Sequence, residues 1–181
     1  MRALHRVAVN LCIVILTRNS IQSAGGHLSA LTVIYLLPRH PNFSFRGLLL
    51  HFGAYDLSGF LPMVEHHDRS LIIDFDIMQR YIDVFVPNTT PMQRRDPAIS
   101  PFFADLRGLK LPPALFTCGT EDPLLDDTVL MGAKWMMWGN ETVVRIYNGA
   151  PHGYIMFPPG ACDAVQEGLD ASTEFVLEKL K

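Results

Sequence analysis

Three short segments place a hydroxyl, a carboxylate and an imidazole along the chain in the order Ser23, Asp122, His152. A serine hydroxyl is a poor nucleophile near neutral pH, so it needs a base to take its proton. An imidazole can be that base, and a carboxylate can fix the imidazole tautomer and stabilise its cation. The pattern therefore predicts a catalytic triad with Ser23 as nucleophile, His152 as base and Asp122 as the orienting acid.

Taken alone, each segment has a simpler structural interpretation. Ser23-Ala24-Gly25-Gly26 is compatible with a flexible turn, His152-Gly153 with a loop histidine, and Asp122-Pro123 with a turn or a helix cap. Their occurrence together favours catalysis, because small residues after the serine permit a tight turn from a strand into a helix. The N-terminus of that helix would face the developing oxyanion, and we expect the Ala24 backbone N–H to be one oxyanion donor.

The elements that must position these residues alternate between strands and helices. Short apolar runs bounded by Gly, Pro or Asn predict strands buried on both faces at 47–55, 114–120 and 143–147. Apolar residues at helical spacing predict helices at 26–37, 74–86, 127–138 and 162–180. The alternation indicates an α/β fold with a mostly parallel sheet. Asp122 and His152 each follow a strand, so we expect both at the carboxyl edge of the sheet.

Apolar spacing also predicts which helix faces are buried. The predicted inward faces are Ile77, Tyr81 and Val84 in the second helix, and Val165, Leu169, Val176 and Leu180 in the last. The group Trp135, Met136, Met137 and Trp138 is interpreted as core packing, with substrate binding as the alternative.

Residues 57–103 interrupt the alternation with a polar segment and no strand-like run. An insertion of this length usually lies over the site of an α/β enzyme, so we interpret it as a helical cap within a single domain spanning 1–181. Residues 1–22 are atypical, because Arg2, His5 and Arg6 precede an apolar run at 7–16 that resembles a signal peptide. No A-x-A cleavage site follows the run, so we interpret it as a buried strand rich in β-branched residues, with a signal peptide as the alternative. The run is too short for a transmembrane helix, which needs about 20 residues.

Composition narrows the class of partner. The net charge of −3 and the scattered Lys and Arg residues give no basic stripe, so we expect a small-molecule substrate rather than nucleic acid. Cys12, Cys118 and Cys162 have no CxxC spacing, which argues against a disulfide framework and a zinc site. Free thiols favour a reducing compartment and predict a cytoplasmic protein.

Two clusters contain residue types that can bind metal ions, but their spacing favours other interpretations. The adjacent side chains of His66-His67-Asp68 do not converge on one ion without help from elsewhere, which favours a solvated loop. The acidic residues from Glu121 to Asp127 lack the glycine and the alternating spacing of a calcium loop. Asp126 and Asp127 are instead interpreted as carboxylates in the first turn of a helix. We predict neither a metal nor an organic cofactor.

The chain resembles the C-terminal two-thirds of an α/β-hydrolase of the hormone-sensitive-lipase type, a family of carboxylesterases and lipases. The resemblance covers about residues 20–180 and rests on four segments, Ser23–Gly26, Asp96–Pro101, Gly119–Asp127 and Gly149–Gly153. It implies a sheet of about four strands, a cap at 57–103, and hydrolysis of small carboxylic esters through an acyl-enzyme on Ser23, with His152 and Asp122 completing the triad.

Departures from the family pattern support an alternative. The family has Gly-Asp before the nucleophile where this chain has Ile21-Gln22, and no His-Gly-Gly-Gly segment occurs in the sequence. In the family that segment supplies further oxyanion donors, and losing one donor costs about 10²- to 10³-fold in rate. The alternative is an incompetent fragment or pseudoenzyme without the family's N-terminal third. The strand leading to Ser23 would then be an apolar edge, which predicts self-association.

Overall fold

A parallel three-stranded sheet lies at the centre of the protein in the computed structural model, which describes residues 22–62, 67, 69 and 71–181. The strands are β1 (Leu48–His51), β2 (Ala114–Glu121) and β3 (Thr142–Pro151), in the order β1-β2-β3. Gln22 forms an isolated parallel bridge to His51, so Gln22 borders β1 at that end. The predicted α/β fold with a parallel sheet is confirmed.

Helices connect the strands and flank the sheet. They are α1 (Ala24–Arg39), α2 (Phe75–Phe85), α3 (Pro91–Arg94), α4 (Leu125–Met137) and α5 (Asp163–Lys179), with short 3₁₀ turns at Pro101–Phe103 and Tyr154–Met156. Side-chain caps explain where two of them begin. Asp74 accepts a hydrogen bond from the Ile77 N–H at the start of α2, and Thr90 and Gln93 form a capping box at α3.

The two faces of the sheet are covered by different helices. On one face Leu50 and Phe116 pack in a cluster with Val33 of α1 and Trp135 of α4. On the other face Leu115 packs with residues of α5, including Phe175. Successive side chains of a strand point to opposite faces, so β2 is buried on both sides and holds the sheet between the helix layers.

The expectation that β3 is buried on both faces is wrong. Val143 and Ile146 are 37% and 38% exposed, because β3 is the outer strand of the described sheet and its neighbours cover it only in part. The strand is also longer than predicted and extends to Pro151, directly before His152. This extension carries the predicted base to the carboxyl edge of the sheet.

The predicted inward face of α2 is displaced by one position. Met78 and Ile82 are buried against Leu57 and Leu124, and Ile77 packs against the same cluster as predicted. Tyr81 and Val84, in contrast, are 64% and 83% exposed. Several apolar residues give this helix two candidate faces, and the sequence spacing alone selects the right one only at Ile77.

Two other packing expectations hold in part. In α5 Val165 is buried as predicted, but Leu169 and Leu180 are exposed, and Ala171 and Phe175 fill the contact with the sheet. At the end of α4 only Trp135 is fully buried, and its indole N–H donates to the Pro112 carbonyl at 3.0 Å. Met136, Met137 and Trp138 are more than 40% exposed, so their assignment to the core is wrong.

Several predictions fall on other parts of the chain. The signal-peptide and buried-strand interpretations of 7–16, and the substitution at Ile21, lie outside the described residues, as do His66, Asp68 and Cys12. The described part of 57–103 contains helices and no strand, and its assignment as a cap stays a prediction. In the part of the chain that the structure describes, no helix is long and apolar enough to cross a membrane.

Candidate active site

Asp122 and His152 form a buried pair at the carboxyl edge of the sheet. The Nδ1 atom of His152 lies 2.9 Å from Oδ2 of Asp122, and the two side chains are 7% and 0% exposed. The other carboxylate oxygen, Oδ1, accepts the Leu124 N–H at 2.9 Å. When the carboxylate accepts a hydrogen bond from Nδ1–H, the second ring nitrogen of His152, Nε2, carries the lone pair that a general base needs.

The register of β2 and β3 brings these two residues together. The strands pair from Ala114 with Thr142 to Gly119 with Tyr147, then shift so that Glu121 lies opposite Pro151. Asp122 directly follows Glu121 at the end of β2, and His152 directly follows Pro151 at the end of β3. Gly119 permits this approach, because a Cβ there would lie 1.8 Å from the Ala150 carbonyl oxygen.

Ser23 lies at the turn between the Gln22 bridge and α1. Its backbone has φ 54° and ψ −116°, a strained conformation for a residue with a side chain. The Ser23 N–H donates to the His51 carbonyl at 3.0 Å, and its own carbonyl accepts the Gly26 N–H at 3.0 Å. A serine in such a strand-to-helix turn presents its hydroxyl above the sheet edge.

The structure brings the acid and base together through their side chains, but it holds Ser23 through its backbone. Among the described residues, the Ser23 hydroxyl makes no helix-cap hydrogen bond and none to His152. Phe52 lies between the two halves, since it follows His51 and its ring centroid is 4.8 Å from that of His152. Ser23 and His152 therefore border the same edge of the sheet.

Ala24 is exposed and is the first residue of α1. Its N–H has no carbonyl one turn earlier in the helix, and the helix dipole adds partial positive charge at this end. Ala24, the predicted oxyanion donor, thus directly follows Ser23 and begins a helix of 16 residues.

Sequence reasoning missed a chain of buried polar side chains beneath the site. The Tyr154 hydroxyl donates to Oγ1 of Thr117 at 3.0 Å, and the same oxygen lies 2.7 Å from Nδ1 of His51. Burial lowers the pKa of His51 to about 4 and raises that of Tyr154, so both side chains stay neutral near pH 7. The sequence signal that could have revealed these hydrogen-bonded side chains was His51, a histidine at the end of an apolar run.

Asp126 and Asp127 lie in the first turn of α4, as predicted. Asp127 does more than face the helix dipole, because its buried carboxylate accepts the backbone N–H groups of Tyr55 and Asp56. Burial raises the pKa of Asp127 to about 8, and the two backbone hydrogen bonds oppose that rise. Across the described residues, no three His, Cys, Asp or Glu side chains converge as metal ligands would.

Comparisons with known proteins agree with this fold. Residues 22–156 match the model of a family described as alpha/beta hydrolase fold. An esterase of Acinetobacter venetianus is 32% identical over 138 residues, which are 75% of this chain and 43% of that protein. A thermostable carboxylesterase cloned from a metagenomic library superposes with a TM-score of 0.75 at 25% identity, covering 88% of this chain and 53% of that one.

A hormone-sensitive lipase from a metagenome library has the same fold, with a TM-score of 0.76 at 23% identity over 88% of this chain and 52% of that one. The chain spans about half the length of these solved relatives. From the family match over 22–156 and the order of its strands and helices, we conclude that this chain belongs to the α/β-hydrolase fold family.

Proposed function

We propose that the chain hydrolyses small carboxylic esters through a covalent acyl-enzyme on Ser23. Oγ of Ser23 attacks the ester carbonyl carbon while Nε2 of His152 takes the hydroxyl proton. Asp122 holds the ring with Nδ1 protonated and stabilises the imidazolium that forms. The Ala24 N–H, at the positive end of α1, stabilises the oxyanion of the tetrahedral intermediate.

The second half of the reaction uses the same groups. The tetrahedral intermediate collapses when the C–O bond to the alcohol breaks, and His152 returns its proton to the departing oxygen. A water molecule then attacks the acyl carbon while His152 takes one of its protons. The Ser23–acyl bond breaks, His152 returns that proton to Oγ of Ser23, and the carboxylic acid is released. Every step needs only protein groups and water.

The observation that supports this proposal best is the buried hydrogen bond between Asp122 and His152 at 2.9 Å. It leaves one imidazole nitrogen for proton transfer, at the sheet edge that Ser23 also borders. The strained backbone of Ser23 supports the nucleophile assignment, since such strain is typical of functional positions. The names of the solved relatives, a carboxylesterase and a lipase, favour carboxylic esters as the substrate class.

A fluorophosphonate probe tests the proposal directly, because an activated serine displaces its fluoride and stays covalently labelled. We expect the purified chain to be labelled at Ser23 and Ser23→Ala to remain unlabelled. Ser172→Ala is the matched control, because it removes a serine hydroxyl that only contacts the Gly168 carbonyl within α5. Absence of labelling at Ser23 in a folded wild-type chain would overturn the proposal and favour the incompetent fragment.

A further inference from the structure

The hydrogen-bonded chain His51–Thr117–Tyr154 joins three segments that border the candidate site. His51 ends β1, Thr117 lies in the middle of β2, and Tyr154 comes two residues after His152. All three side chains are buried, with Thr117 and Tyr154 at 0% exposure and His51 at 4%. Buried polar groups are costly unless they are paired, so this chain constrains how the three segments are spaced.

One end of this hydrogen-bonded chain is bonded to Ser23, and the other end reaches His152 through the ring of Phe52. The His51 carbonyl accepts the Ser23 N–H at 3.0 Å, so His51 contacts the strained turn of the nucleophile. At the other end Tyr154 packs edge-on against Phe52 at 5.8 Å, and Phe52 packs against the His152 ring at 4.8 Å. The central Thr117 carbonyl accepts the Phe52 N–H at 2.7 Å, which holds that ring in place.

We propose that Thr117 is a positioning residue that sets the distance between Ser23 and His152 through this hydrogen-bonded chain. Thr117 touches neither the substrate nor the reacting atoms, and it acts through the end of β1 and through Tyr154. The proposal rests on the assignment of Ser23 and His152 under the proposed function. It adds a residue on β2, whose hydroxyl lies on the face of the sheet that α5 covers.

The donors and acceptors of the three side chains determine where the protons of this hydrogen-bonded chain lie. The Tyr154 hydroxyl donates a hydrogen bond to Thr117 Oγ1, and the Thr117 hydroxyl can then donate its own proton to another acceptor. We assign Nδ1 of His51 as the acceptor of that proton, which places the ring proton of His51 on Nε2. A valine at position 117 keeps the shape of threonine but leaves both neighbours without their partner.

The kinetic test compares three variants in ester hydrolysis. We expect Thr117→Val to lower kcat by about 10- to 100-fold while KM stays within about twofold, because a small displacement of the catalytic groups affects the transition state more than binding. Thr117→Ser retains the hydroxyl and should keep most of the wild-type kcat. Tyr147→Phe is the matched control. It removes a tyrosine hydroxyl 3.4 Å from the Glu167 carbonyl and outside the chain, and should leave kcat unchanged.

Loss of stability must be separated from loss of position. Thr117→Val strands the Tyr154 hydroxyl, and adding Tyr154→Phe removes that stranded group. We expect the double variant to regain part of the melting temperature lost by Thr117→Val but not its kcat. If kcat returns together with the melting temperature, or if Thr117→Ser is as slow as Thr117→Val, Thr117 is a stabilising residue only and the proposal fails.

A measurement without substrate separates this proposal from the proposed function. In ¹⁵N-labelled protein we expect the His51 imidazole to be the Nε2–H tautomer. Thr117→Val should shift both the Ser23 amide and the His152 ring resonances, and Tyr147→Phe should shift neither. An unlabelled Ser23 with these shifts present overturns the hydrolase assignment but not the positioning. Unchanged Ser23 and His152 resonances in Thr117→Val overturn the positioning itself, whatever the activity.

Discussion

The two halves of the candidate site are held by different kinds of interaction. Asp122 and His152 are joined by a buried side-chain hydrogen bond and lie at the ends of two strands with a long shared register. Among the described residues, Ser23 is held by the bridge at Gln22 beside it and by backbone hydrogen bonds, and its φ is positive at 54°. The acid and base are therefore fixed relative to each other, whereas the alignment of Ser23 with them depends on the spacing of the strands between them.

Asp122→Asn tests the acid–base half and has the largest expected effect. The Leu124 N–H occupies Oδ1 of Asp122, so an asparagine would keep its carbonyl oxygen there and turn its NH₂ group toward His152. Nδ1 of His152 would then have to accept a hydrogen bond, and the ring proton would move to Nε2, where the base is needed. We expect kcat for ester hydrolysis to fall by about 10⁴-fold.

Asp105→Asn is the control for that substitution, because Asp105 is an exposed carboxylate paired with Arg107 away from the site. It should leave kcat unchanged. A loss of less than about tenfold in Asp122→Asn would show that the geometry of the pair is not what the reaction depends on.

Gly119→Ala tests whether strand register is what fixes the acid–base half. An added Cβ would lie 1.8 Å from the Ala150 carbonyl oxygen. The Cβ is attached to the backbone and the oxygen is part of it, so neither atom can rotate away. The strands would have to separate just before Asp122 and His152. We expect the free energy of unfolding to fall by about 3 kcal/mol, measured by urea denaturation, and probe labelling of Ser23 to slow.

Gly108→Ala is the comparison for that experiment. Gly108 has φ 70° but nothing within 4 Å of an added Cβ, so its substitution costs only backbone strain of about 1 kcal/mol. If the free energy of unfolding falls equally in the two variants, crowding between β2 and β3 is not the cause of the loss in Gly119→Ala.

The acid–base half could be predicted from the sequence, and the reason is local. Asp122 and His152 each directly follow an apolar run, and residues that end parallel strands meet at one edge of the sheet. The tight turn at Ser23 was also implied by the small residues after it. These inferences require only neighbours along the chain.

The supporting contacts could not be predicted, because they join residues far apart in sequence. His51 meets Thr117 across 66 positions, and Asp127 reaches the Asp56 N–H across 71. Nothing near His51 in the sequence indicates a threonine partner. The prediction that Met137 is buried failed for another reason. The sequence of apolar residues at the end of a helix does not reveal which of them extend past the sheet and are exposed.

Asp127 links the two halves and gives the smallest predicted effect, a change in how stability depends on pH. It lies five residues after Asp122 and holds the backbone that follows β1. Its pKa is raised from 3.8 to about 8, so the folded chain retains a proton that the unfolded chain loses. The associated stability is complete below about pH 4 and is lost as pH rises toward about 8, by up to about 1.4 kcal/mol per pH unit.

Asp127→Asn keeps an oxygen acceptor for the two N–H groups but cannot ionise, so this loss should disappear. We would measure the free energy of unfolding of both proteins at about pH 5 and about pH 7. His51 acts in the opposite direction, since its pKa is lowered to about 4 and its contribution is lost as pH falls below about 6.5, but it is present in both proteins and cancels in the difference. Asp76→Asn, an exposed change on α2, controls for net charge. If Asp127→Asn loses as much stability as the wild type between the two pH values, the connection between the halves is made by the neutral packing of α4 and not by the carboxyl group of Asp127.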